Sequence, residues 1–119
     1  MSGNKILDIK ILEKLNFKDL TILELNTNGL SDINILEKVN FNELKELDLS
    51  HNQIANINIL EKVNFKKLIK LNLSYNKISD INILRKVNFK QLKALFLNDN
   101  IISDDIITIE KVVNFNIFI

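Results

Sequence analysis

The sequence predicts an α/β protein made by stacking one short unit, and three observations carry that expectation. The nonapeptide INILEKVNF occurs unchanged at 33–41 and 57–65, again at 81–89 with Arg85 as its one difference, and more loosely at 9–17. Starts at 9, 33, 57 and 81 set a period of 24 residues, which points to a repeating architecture. Between the copies lies a second theme with a two-residue alternation, while the nonapeptide itself places apolar residues three apart.

The alternating theme reads LTILELNTNGL, LKELDLSHNQI, LIKLNLSYNKI and LKALFLNDNII, each fitting L-x-x-L-x-L-x-x-N-x-(L/I), with first leucines Leu20, Leu44, Leu68 and Leu92. Alternation such as Leu47-Asp48-Leu49 predicts a short strand with one buried face. Leu47 and Leu49 then point inward, and Glu46, Asp48 and Ser50 are expected to face water. In the nonapeptide, Ile33, Leu36 and Val39 form one apolar stripe around Glu37 and Lys38, as on a short helix. Asp32, Asp80 and Asp104, with Asn56 in the second copy, are suited to start these helices. Asn40, Asn64 and Asn88 follow the last apolar residue and are expected to stop them in a left-handed conformation.

One such unit cannot fold alone, because the few apolar side chains it buries do not offset the ordering of its own backbone. Each copy needs a neighbour of the same shape, so near-identical segments recur and nearest-neighbour contacts carry the stability. Phe17, Phe41, Phe65 and Phe89 fall at the same place in successive units and are expected to stack as an aromatic spine.

From about residue 6 to residue 102 the four L-x-x-L-x-L-x-x-N-x-(L/I) segments resemble the leucine-rich repeat. With the following SDINIL they are most similar to its short intracellular subclass, which includes phosphatase-regulatory members. The resemblance implies a right-handed solenoid of four 24-residue repeats with a concave parallel β-sheet and convex short helices. A single domain over 1–119 then divides into an N-terminal half-repeat (6–19), repeats at 20–43, 44–67, 68–91 and 92–103, and a C-terminal cap or dimer contact (104–119). Asn28, Asn52, Asn76 and Asn100 match the family's asparagine ladder, in which buried amides satisfy backbone groups of adjacent coils.

Composition narrows the function. Sixteen basic against fifteen acidic residues leave a net charge of +1, without the imbalance of nucleic-acid or anionic-membrane binders, so neither partner is expected. The chain has no cysteine, which removes thiolate chemistry and disulfide caps and favours a cytoplasmic setting. Its first residues, MSGNKILDIK, carry no apolar signal core, and no apolar run is long enough to span a bilayer. His51 is the sole histidine and has no second imidazole for metal binding and no recognisable nucleophile; two glycines cannot form a phosphate-cradling loop. No enzyme activity, cofactor or metal is expected. The pairs Glu37-Lys38 and Glu61-Lys62 are expected on a solvated convex surface.

Function is therefore sought where the repeats differ. The outward strand rows read Ile22, Glu46, Lys70, Ala94; then Glu24, Asp48, Asn72, Phe96; then Asn26, Ser50, Ser74, Asn98; then Thr27, His51, Tyr75, Asp99. Inward positions are copied while these vary, as a scaffold with a recognition face requires. Phe96 stands where other copies are polar, and with the diagonal Tyr75 it is a candidate anchor for a protein or peptide partner. Equally, Phe96 is placed to cover the last strand against the tail. Four strands spaced about 4.8 Å apart give a front roughly 20 Å long and on the order of 500 Å² in area, below the roughly 800 Å² per partner of a standard interface. A short peptide, a weak partner or an enlarged surface fits it.

The last residues, DDIITIEKVVNFNIFI, resemble the nonapeptide with an extra residue and end on Phe115, Ile117, Phe118 and Ile119. Such a tail is expected either to fold back as a cap or to bury itself in a second copy as a homodimer. A designed or recently duplicated array without an evolved ligand is a further alternative.

Overall fold

A computed structural model describes residues 9–14, 18–103 and 106–119. Ile6, Phe17 and Asp104, to which the sequence assigned the start of the half-repeat, a spine position and a helix start, lie outside the described residues. Among the described residues five three-residue strands form one parallel sheet in chain order: β1 (Ile22–Glu24), β2 (Glu46–Asp48), β3 (Lys70–Asn72), β4 (Ala94–Phe96) and β5 (Asn116–Phe118). Leu23, Leu47, Leu71, Leu95 and Ile117 are in register across it. The first four leucines are buried, so the alternation sets both the face and the register. Pairing continues past the strand ends, since the amides of Leu25, Leu49 and Leu73 donate to the carbonyls of Asp48, Asn72 and Phe96, each at 2.8 Å.

On the side away from the sheet each coil closes through a 3₁₀ segment: η1 (Ile9–Lys14), η2 (Asn34–Lys38), η3 (Asn58–Glu61) and η4 (Asn82–Arg85). Apolar residues three apart suit the three-residue turn of this helix better than the 3.6-residue turn of an α-helix. The expected caps Asp32, Asn56 and Asp80 fall one residue early: Ile33, Ile57 and Ile81 hold the N-cap positions and make no side-chain cap bond. The Asp32, Asn56 and Asp80 side-chain oxygens instead close local turns, accepting from the amides of Asn34, Asn58 and Asn82 at 2.8, 2.9 and 2.9 Å, which holds the chain in a turn one residue before each 3₁₀ segment begins.

The expected left-handed stops at Asn40, Asn64 and Asn88 are not observed. Positive φ falls instead on Thr27 (60°), His51 (54°), Tyr75 (56°) and Asp99 (56°), besides Gly29. The physical reason is that the 3₁₀ segments end without a reversal: the Lys62 and Lys86 amides bond the Ile59 and Ile83 carbonyls at 2.8 Å, and Val39 is extended. The reversal lies just after each strand, where the chain must turn sharply to drive an asparagine into the core.

Those asparagines knit successive coils. Asn52 Nδ2 donates to the carbonyls of Leu25 (3.1 Å), Leu49 (2.9 Å) and Ser50 (3.1 Å), and its Oδ1 accepts from the amides of Asn28 (3.0 Å) and Leu30 (2.9 Å). Asn76 and Asn100 repeat the arrangement one and two coils on, with Oδ1 accepting from the Ile54 and Ile78 amides at 3.0 Å. Phe41, Phe65 and Phe89 are buried in a row, with Phe41 tilted 46° against Phe65 at 5.8 Å and Phe65 stacked on Phe89 at 6.3 Å, so the expected spine forms but is not a uniform stack. The last coil departs from the pattern. It carries a short α-helix, α1 (Ile106–Glu110), and delivers β5 with Asn116 opposite Ala94, an offset of 22 residues. The particle measures 38 × 27 × 18 Å, and among the described residues no helix is long and apolar enough to cross a membrane.

Candidate functional site

Register aligns the outward side chains of the sheet into two columns. One runs Ile22, Glu46, Lys70, Ala94, Asn116 and the other Glu24, Asp48, Asn72, Phe96, Phe118. Ile22, Glu24, Glu46 and Lys70 are exposed, while Asp48, Asn72, Ala94 and Phe96 are half-buried. Side chains on β1 to β3 surround a hollow of about 80 Å³ lined by Ile22, Glu24, Glu46, Asp48, Lys70 and Asn72.

Phe96 is partly covered from within the chain. Its ring stacks on Phe118 at 4.8 Å with planes 14° apart, and the Lys70 ammonium lies 5.5 Å from its centroid. This cation sits over the ring although Glu46 is its cross-strand neighbour in the sheet, a placement suited to the attraction between a cation and an aromatic face. Phe118 and Asn116 thus join the outward columns. Sequence reasoning missed them because the tail was read by its apolarity, whereas its signal was Ile117 standing between two outward residues as Leu95 does in the coil before.

A third row behaves differently from the expectation that it faces water. Ser50 and Ser74 are buried, and Asn26 and Asn98 are half-buried. The Asp48 and Asn72 side chains fold over to accept from the Ser50 and Ser74 amides at 2.9 and 3.0 Å, and the left-handed residue that follows turns the chain inward. The Ser74 hydroxyl donates to Asn98 Oδ1 of the next coil at 3.4 Å.

The left-handed residues form the rim of the face. His51 and Tyr75 stack at 4.2 Å with planes 9° apart, and Tyr75 is 49% exposed. A side-chain hydrogen bond to Asp99, reinforced by that residue's negative charge, raises the Tyr75 pKa above its ordinary value. Tyr75 is therefore engaged with His51 and Asp99, whereas Phe96 is engaged with Phe118. The sequence treated the two rings as one diagonal pair. They belong to separate stacks. Among the described residues no three of His, Cys, Asp and Glu are arranged to hold a metal ion.

Parallel three-residue strands, the first four at a 24-residue interval and joined by 3₁₀ turns and an asparagine ladder, find a match in known proteins. The family model for leucine rich repeats (2 copies) covers residues 42–86. Among solved structures the chain is similar to the 1.90 Å crystal structure of an internalin C2 from Listeria monocytogenes, with a TM-score of 0.61 and 25% identity. The fold is a leucine-rich-repeat solenoid. That match covers 98% of this chain and 58% of the internalin chain, so the present leucine-rich repeats span little more than half of the similar structure. No curated protein matches the sequence. Leucine-rich repeats generally mediate protein–protein interaction, and the sheet face described above is the concave side of such a solenoid.

Proposed function

We propose that this leucine-rich-repeat chain is a non-catalytic recognition module that binds a protein or peptide through its concave strand face. One observation carries the reading: at equivalent register positions the inward residues are Leu23, Leu47, Leu71 and Leu95, while the outward ones change from Ile22 to Glu46 to Lys70 to Ala94. Packing explains the first uniformity and imposes none of the second diversity. Ile22, Glu24, Glu46, Asp48, Lys70, Asn72, Ala94 and Phe96 form the face, and His51, Tyr75 and Asp99 form its rim. The finer placement in the short intracellular subclass with phosphatase-regulatory members belongs to this proposal and rests on the SDINIL continuation, as the cytoplasmic setting rests on the cysteine-free composition.

The test is capture of a specific partner by the immobilised chain, with Tyr75→Ala and Phe96→Ala as the deciding variants. Each is expected to weaken a captured partner by about 1–2 kcal/mol. Retention of full affinity by the folded double variant defeats the reading. A second reading, self-association through the C-terminal end, is favoured by the exposure of Ile107, Val112, Phe118 and Ile119 there. Light scattering that gives a monomer mass across a dilution series removes it.

A further inference from the structure

The concave face has a fixed chemical polarity. At its β1–β2 end stand three carboxylates, Glu24, Glu46 and Asp48, with the exposed Ile22 beside them. At its β4–β5 end stand two stacked phenyl rings, Phe96 and Phe118, with the small Ala94 alongside. Between them stands Lys70, whose side chain borders the hollow while its ammonium leans toward the aromatic end, 5.5 Å from the Phe96 centroid. The carboxylates border a polar hollow of about 80 Å³, room for one cationic head group and for no folded element.

Resting on the recognition reading above, we infer that the partner presents an extended segment laid across the strands, with a lysine or arginine over Glu46 and Asp48 and an apolar side chain four residues away against Phe96 and Phe118. Charge complementarity selects the cation, and the aliphatic stem of either residue packs on Ile22 while its charged end enters the hollow. Geometry selects the spacing. β2, which carries Glu46 and Asp48, and the middle of the β4–β5 pair are two and a half strand intervals apart, about 12 Å, which an extended chain covers in about four residues with both side chains on one face. A segment with an acidic residue at the first position meets like charge and is rejected.

The experiment selects a random-peptide phage library on the immobilised full chain, then measures synthetic versions of the enriched peptides. The expected enrichment is for lysine or arginine four residues from leucine, isoleucine, methionine or phenylalanine, with affinity falling as salt is raised. The deciding variant is Glu46→Lys with Asp48→Asn. These substitutions copy Lys70 and Asn72 from the next coil, so β2 keeps the side-chain acceptor for the Ser50 amide and the chain keeps its fold. It is expected to weaken the selected peptides at least tenfold. Acidic or uncharged peptides that lose binding on Phe96→Ala or Tyr75→Ala but not on the β2 change overturn this inference and leave the recognition reading standing. No enrichment over a blank surface, or binding indifferent to every one of these substitutions, overturns both.

Discussion

Thr27 is a β-branched residue held at a φ of 60°, where its Cβ crowds the backbone, and it is there because the chain must turn to send Asn28 inward. The strain, on the order of 1–3 kcal/mol, is a local cost of the ladder. Asparagine tolerates that conformation, so Thr27→Asn is expected to stabilise the protein by about 1 kcal/mol, read as a rise in the urea midpoint with unchanged slope. Thr27 and Tyr75 give no sign of the left-handed turn and His51 and Asp99 only a weak one, so it was sought at Asn40, Asn64 and Asn88. The residue type was a weak signal, and the ladder that imposes the turn is a contact 24 residues away. The ladder asparagines were legible through the resemblance to the leucine-rich repeat, which places an inward amide at that position of each coil. Tyr75 supplies a pH-dependent test. Since Asp99 raises its pKa in the folded state, their contact is fully present below about pH 10, the ordinary tyrosine value, and is lost as pH rises through the folded value. Ultraviolet titration of this single tyrosine is expected to show ionisation above the ordinary range, returning toward it in Asp99→Asn.

At the level of elements, the place and inward face of β1 to β4 were legible because alternation with one buried face leaves a single register, but their ends were not, since Ser50 was expected to face water and is buried. The turns were legible in position but not in kind. Ile33, Leu36 and Val39 recur at intervals of three, the 3₁₀ period, and were expected as an ordinary short helix. β5 was hidden because its neighbours in the tail are apolar on both sides, which masks alternation. Its role is measurable at one amide. Leu97 donates to the Phe118 carbonyl at 2.7 Å, whereas Leu49 and Leu73 donate to coils nearer the centre. Removing residues 116–119 is expected to abolish hydrogen-exchange protection at Leu97 and to preserve it at Leu49. Equal loss at both amides would mean that the sheet melts as one unit and that β5 is no mere end strand.

For the whole molecule, the 24-residue register shared by β1 to β4 means that a coil is a removable part. Deleting residues 44–67 leaves Leu23 opposite Leu71, with Asn76 in the place of Asn52, and every ladder bond finds an equivalent partner. The shortened chain is expected to fold with lower stability and with a urea slope reduced by about a fifth, in proportion to the surface lost. A molten or unfolded product would show that a particular coil, and not the stack, carries the structure. The concave face was legible as variation against copied leucines, but its polarity was not, because the stack of Phe96 on Phe118 joins residues from different coils. The asparagine ladder has a direction as well. Asn52 takes the amides of Asn28 and Leu30, Asn76 takes that of Ile54, and Asn100 takes that of Ile78. During synthesis on the ribosome, then, each loop of chain waits with open donors until its successor emerges from the exit tunnel, and the nascent protein is fastened from behind, one latch at a time.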